Sequence, residues 1–264
     1  MTADAGTPVP APGGARAYVN GLPLYYEIHG TGRPLVLLPG GLLTIDLTFG
    51  PMISSLAKSH RVIGVEPQGH GHTPDIERQM TVDNMADDVA ALLRGLNIDR
   101  ADLFGFSLGG MIALDLAIRH PEMVGSLVLA SAPYRGDGFH DETRPEHVDS
   151  GSKRLPTEAE REVWEAEYRR VAPDPDHWPA VAARVAAMVG AFEGWSADQL
   201  RSISARTLVL AGDTDFVRLP HAIEMFELIG VAQLAVLPNC LHTDVPRRPD
   251  QVLAMVIPFL DATA

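Results

Sequence analysis

Six short, nearly uninterrupted apolar runs punctuate the chain: 34–41 (PLVLLPGG), 61–71 (RVIGVEPQGHG), 101–107 (ADLFGFS), 125–133 (GSLVLASAP), 205–213 (ARTLVLAGD) and 232–238 (AQLAVLP). Runs of this length without polar alternation, ending in Gly or Pro, predict strands buried on both faces. Ahead of them, AYVNGLPLYYEIHG alternates about Asn20-Gly21, the residue pair of a two-residue hairpin turn. Between the runs the apolar period lengthens to that of a helix. Residues 81–96 place Met85, Val89, Leu92 and Leu93 on one face, with Thr81 as N-cap. The segment LGGMIALDLAIRH is helical up to Pro121, and residues 248–262 form a last amphipathic helix that Pro258 is placed to kink. Strands alternating with helices predict an α/β fold, a mostly parallel central sheet with helices on both faces.

The rhythm fails once. Between the strands near 132 and 206 there is no buried-strand run, only a polar, turn-rich stretch and then two helical ones, TEAEREVWEAEYRRVA and DHWPAVAARVAAMVGAFEGW. A structureless loop of that length is uncommon in a compact domain. The pattern predicts a small helical cap over residues 135–204, inserted into a core made of 15–134 and 205–264, after a disordered, Pro- and Gly-rich tail over residues 1–14.

The glycines of GFSLGG (105–110) stand where strand and helix both lose stability to glycine. Gly105-Phe106-Ser107-Leu108-Gly109 fits G-x-S-x-G, with a strand before it and a helix after. In that setting a sharp turn lifts the serine hydroxyl clear of the sheet, beside a helix N-terminus that favours negative charge. A serine nucleophile needs a base, and the base needs an orienting acid. Asp213 and Asp215 follow the fifth run, and His242 lies in the loop after the sixth, so both would reach the same sheet edge as Ser107. The other residue types in these loops suggest weaker chemistry. His70 and His72 stand at i, i+2 without Cys or nearby carboxylates, a poor metal site, and Cys240 fits a small buried apolar group.

With LLPGG, VIGVEPQGHGHT, GFSLGG, LAGDTD and NCLHTDVPRRPD in place, the chain resembles the α/β-hydrolase family over nearly its whole length. The resemblance implies a catalytic triad of Ser107, Asp215 and His242. The family pattern Gly-x-x-Asp selects Asp215 over Asp213, and Ser131-Ala132-Pro133, where some members carry the acid, has no carboxylate. It also implies an oxyanion hole from the backbone N–H groups of Gly41 and Leu108, with Leu42 as substitute donor. The family's usual His-Gly is Pro39-Gly40 here.

Leu42, Leu43, Phe106 and Phe216 flank these positions, and the cap contributes Trp164 and Trp195, so an apolar or aromatic substrate group is expected in the pocket. Composition narrows the classes further. The 264 residues are 46% hydrophobic and carry a formal net charge of −13, which disfavours nucleic acid and anionic membrane surfaces as partners. The single cysteine allows no intramolecular disulfide, and neither a secretory leader nor a spanning apolar run is read, so a cytoplasmic protein is expected. A homodimer is left open. The leading expectation is a serine hydrolase, without cofactor or metal, that cleaves a carboxylic ester or lactone through an acyl-enzyme. The alternatives are a carbon–carbon bond hydrolase or metal-free haloperoxidase of the same fold, then a non-hydrolytic lyase, cyclase or ligand-binding member.

Overall fold

A computed structural model describes residues 14–144, 147 and 151–262. The expected tail over residues 1–14 lies, but for Gly14, outside the described residues. The hairpin forms as read. β1 (Ala15–Val19) and β2 (Leu22–His29) pair antiparallel about Asn20 and Gly21, whose φ values of 50° and 81° are those of a type I′ turn. The six apolar runs become β3 (Arg33–Leu38), β4 (His60–Glu66), β5 (Ala101–Phe106), β6 (Val124–Ala130), β7 (Arg206–Gly212) and β8 (Ala232–Leu237). Among the described residues the eight strands make one sheet in the order β1-β2-β4-β3-β5-β6-β7-β8, parallel from β4 onward.

Both faces of that sheet are covered, which is why the central strands carry no polar alternation. Val36, Leu38 and Leu103 face one core, shared with α2 (Val82–Gly95), α3 (Leu108–Arg119) and α7 (Leu219–Leu228). Leu35, Leu37 and Phe104 face the other, shared with α1 (Ile45–Leu56) and α8 (Pro249–Asp261). Thr81 caps α2 as expected, its hydroxyl accepting the Asn84 N–H at 3.1 Å. Two helices, α1 and α7, were not evident in the sequence pattern. Gly50-Pro51 sits inside α1, and α7 is only ten residues long.

Between β6 and β7 runs a helical insertion, with short 3₁₀ turns, then α4 (Glu158–Val171), α5 (Trp178–Gly190) and α6 (Ala197–Arg201). Charged contacts fasten it to the core at several places. The buried Asp75 carboxylate accepts from Gln68 of the core and from His177 (3.1 Å) and Arg184 (2.5 Å) of the insertion. On another side, Arg247 of the core pairs with Glu160 of α4 at 2.5 Å.

Candidate active site

Ser107 joins β5 to α3 with φ +53° and ψ −118°, a conformation a non-glycine residue occupies only when its surroundings enforce it. Its N–H is tied to the Ala130 carbonyl at 2.8 Å, and its own carbonyl accepts the N–H groups of Gly110 (2.9 Å) and Met111 (3.1 Å). The flanking glycines are what let the turn close. A Cβ on Gly105 would lie 2.2 Å from the Gly109 carbonyl oxygen, and one on Gly109 would lie 1.9 Å from that of Leu38. Gly110 has a separate role in packing, since its Cβ would come within 2.5 Å of Ala132 Cβ beyond the end of β6.

Asp215 follows β7 and is buried. Its Oδ1 accepts from His242 Nδ1 at 2.8 Å and from the Val217 N–H at 3.0 Å, and its Oδ2 accepts the Ser131 hydroxyl at 2.5 Å. With Nδ1 donating to a carboxylate, Nε2 is left as the basic nitrogen of His242. The neighbouring Asp213 points elsewhere. It is exposed, accepts the Cys240 N–H at 3.1 Å, and is held below the usual carboxylate range by the backbone N–H groups of Asn239 and Cys240. Of the two aspartates, Asp215 is therefore the one in contact with His242.

One cavity of about 300 Å³ joins the pieces. Ser107 and His242 line it together with Gly41, Leu108, Leu43, Phe106, Phe216 and, from α4, Trp164. Opposite Ser107 the chain turns through Pro39–Leu43. The Leu43 N–H bonds to the Gly40 carbonyl at 3.1 Å, and Leu42 takes φ +65°, the sign that a type II turn requires at its third residue. A Cβ on Gly41 would meet Leu108 Cβ at 3.8 Å, so the two residues expected to supply oxyanion donors lie side by side in the cavity wall. Leu42 itself is half-buried and lies outside the lining.

This architecture has close counterparts. Residues 33–149 match the family model described as alpha/beta hydrolase fold. Over 261 residues the chain is 31% identical to the "Putative carbamate hydrolase RutD" of Rhizobium rhizogenes, spanning 90% of this chain and 98% of that one. The chain belongs to the α/β-hydrolase family. It is also 27% identical over 267 residues to a pimeloyl-[acyl-carrier protein] methyl ester esterase of Nitrosospira multiformis (89% and 97% covered). Among solved structures, the meta-cleavage product hydrolase CumD of Pseudomonas fluorescens IP01 superposes with a TM-score of 0.78 at 22% identity, over 94% of this chain and 97% of that one.

As an α/β-hydrolase the chain carries several site features that sequence reasoning missed. Ser131 was noted for lacking a carboxylate, yet it supplies the hydroxyl that clamps Asp215. Met111 and Val189 deepen the apolar wall, and Thr243 and Arg247 bring polar atoms to it. Trp195, expected in the pocket, is elsewhere: its indole N–H donates to the buried Asp115 at 3.1 Å, and it lines a different hollow beside α2 and α3. The remaining reactive side chains have other partners. Burial pushes the Cys240 thiol up to about 11, leaving it protonated. His72 Nδ1 donates to the Glu66 carboxylate (2.9 Å), and the buried His70 Nδ1 donates to the Gln68 carbonyl (2.9 Å). No helix among the described residues is long and apolar enough to cross a membrane.

Proposed function

We propose that this α/β-hydrolase is a serine hydrolase that cleaves the acyl bond of a small, largely apolar carbonyl substrate through an acyl-enzyme. The observation that carries the reading is a strained serine sharing one apolar cavity with a histidine whose Nδ1 rests on a buried carboxylate. Ser107 Oγ attacks the carbonyl carbon while His242 Nε2 takes its proton. Asp215 holds the tautomer and stabilises the imidazolium. The N–H groups of Gly41 and Leu108 receive the developing oxyanion, a contribution of about 3–4 kcal/mol for one donor in comparable sites. His242 then protonates the leaving group, and water activated by the same imidazole frees the acyl group.

An ester or lactone needs only a proton on the leaving oxygen, which His242 supplies alone, and this is the first substrate class. A carbon–carbon bond beside a carbonyl is within reach when the leaving carbon carries its charge as an enolate, and the shared fold with CumD supports that second reading. Relatives named for a carbamate and for a methyl ester bond support the common step, attack on a carbonyl. The test has two stages. A fluorophosphonate should label wild type at Ser107 and leave Ser107→Ala untouched. A panel of p-nitrophenyl esters of graded acyl length, lactones and a vinylogous 1,5-diketone then assigns the bond. Absence of both labelling and turnover would overturn the reading.

A further inference from the structure

His242 is held by more than its hydrogen bond. The Phe216 ring lies face to face with the imidazole, centroids 3.5 Å apart and planes 20° from parallel, and Phe106 closes in at 4.9 Å and 39°. Phe216 is itself fixed from the insertion. Its carbonyl accepts the His140 N–H (2.9 Å) and the Thr143 hydroxyl (3.2 Å), and Phe139 lies against its ring at 5.9 Å while pairing with Val217. The first residues of the insertion thus set the ring that sets the base.

An aromatic face is electron-rich and attracts a cation more than a neutral group. In acyl transfer His242 is neutral at rest and becomes an imidazolium as it takes the serine proton, so a ring on its face favours the transition state over the ground state. Burial of His242 keeps water from screening that difference. We infer that Phe216 is a positioning residue for His242, holding the imidazole plane and stabilising its protonated form during turnover. The inference rests on the triad reading above. Among the described residues, the charged or titratable groups about this histidine include Asp215 on Nδ1, Cys240 and Asp244 on its own loop, Arg154 and His140 of the insertion near Asp215, and the Arg247–Glu160 pair beside the cavity. A substitution at Phe216 leaves each of these side chains in the sequence and removes only the ring.

Phe216→Leu keeps an apolar side chain against His242 and removes the aromatic face; Phe216→Tyr keeps the face. The expected result is a fall of about 3- to 30-fold in kcat for Phe216→Leu, matched in the rate of labelling by a small fluorophosphonate, with KM changed less. The acid limb of the kcat/KM profile should move to lower pH, because the imidazolium has lost a stabilising partner. Phe216→Tyr should recover most of the rate. Phe216→Met, which fills the space flexibly, repeats the test if the leucine variant folds poorly. Wild-type rates in Phe216→Leu or Phe216→Met would sink the inference. So would a limb displaced to higher pH, the sign that water had merely been admitted, or a tyrosine variant no faster than leucine. Labelling that persists in Ser107→Ala would instead indict the triad itself.

Discussion

Replacing Gly109 by Ala adds one carbon to the most crowded point of the turn between β5 and α3. That carbon would sit 1.9 Å from the Leu38 carbonyl oxygen, about 1.5 Å short of van der Waals contact. The obstruction is backbone, at the end of β3 in the middle of the sheet, so no rotamer change relieves it. The first turn of α3 must lift away from the strand, although Leu108 to Ala117 are buried throughout. Overpacking of this kind costs about 3 kcal/mol, against which the better helix propensity of Ala returns at most about 1 kcal/mol. For a chain of this length, 2–3 kcal/mol lowers the melting temperature by roughly 4–12 °C. The catalytic loss should be larger, because the same lift shifts the Leu108 N–H and the Ser107 hydroxyl together. Misplacement by 1 Å is worth about a hundredfold in rate. Thermal unfolding and titration with a fluorophosphonate measure the two effects on one preparation. Gly95→Ala, near the end of α2 with no atom within 4 Å of its added carbon, serves as the control. A Gly109→Ala protein that melts with wild type and labels at the wild-type rate would refute the reasoning.

Other expectations follow from individual contacts. Asp215→Asn should lower kcat by roughly 10⁴-fold, since the amide favours the wrong imidazole tautomer, whereas Asp213→Asn should retain turnover; steady-state kinetics on the best panel substrate separates them. Ser131→Ala removes the donor to a buried carboxylate oxygen and should cost about 1–3 kcal/mol in denaturant unfolding, with a rate loss smaller than that of Asp215→Asn. Burial pushes the Glu160 carboxyl up, but hydrogen bonds from Thr157, Thr243 and Arg247 outweigh it and hold the group at about 2. Because the folded value is depressed, its contribution is fully present above the ordinary carboxylate range and is lost as pH falls toward 2. The melting difference between wild type and Glu160→Gln should therefore be level near neutrality and close below about pH 4.

What the sequence disclosed was whatever a local period could encode. β3 and β5 are buried on both faces and read as apolar runs, and α2 shows its stripe and its cap because both repeat within fifteen residues. α1 escaped because Gly50 and Pro51 interrupt its span, though Thr44 caps it with a bond to the Leu47 N–H and packing on α8 holds it. The strained turn at Ser107 and the contact between Asp215 and His242, on which the proposed triad rests, were suggested by turn chemistry and chain order. Ser131 was not, because its role exists only across the 84 residues that separate it from Asp215. Trp195 failed for the same reason: an aromatic in the insertion was expected over the pocket, but the partner for its N–H is Asp115 on the far side of α3.

On the proposed mechanism, the insertion has a different place from the one its composition suggested. A cap read from scattered aromatics is a roof that shapes the substrate cavity, and Trp164 does line it. Yet Arg154 donates to the Asp215 carbonyl at 2.7 Å, His140 and Thr143 hold the Phe216 carbonyl, and Arg218, after the acid, bonds back through its N–H to Gly138 at 2.7 Å. These contacts all converge on residues 215–218, just beyond β7, the segment that carries Asp215 and the Phe216 ring stacked on His242. Loosening the contacts of Gly138, His140, Thr143 and Arg154 should then degrade the geometry of Asp215 and His242 even for a substrate too small to touch the roof. A small fluorophosphonate is such a probe. Its labelling rate should fall in Arg154→Met, while a labelling rate equal to wild type would confine the insertion to substrate shape.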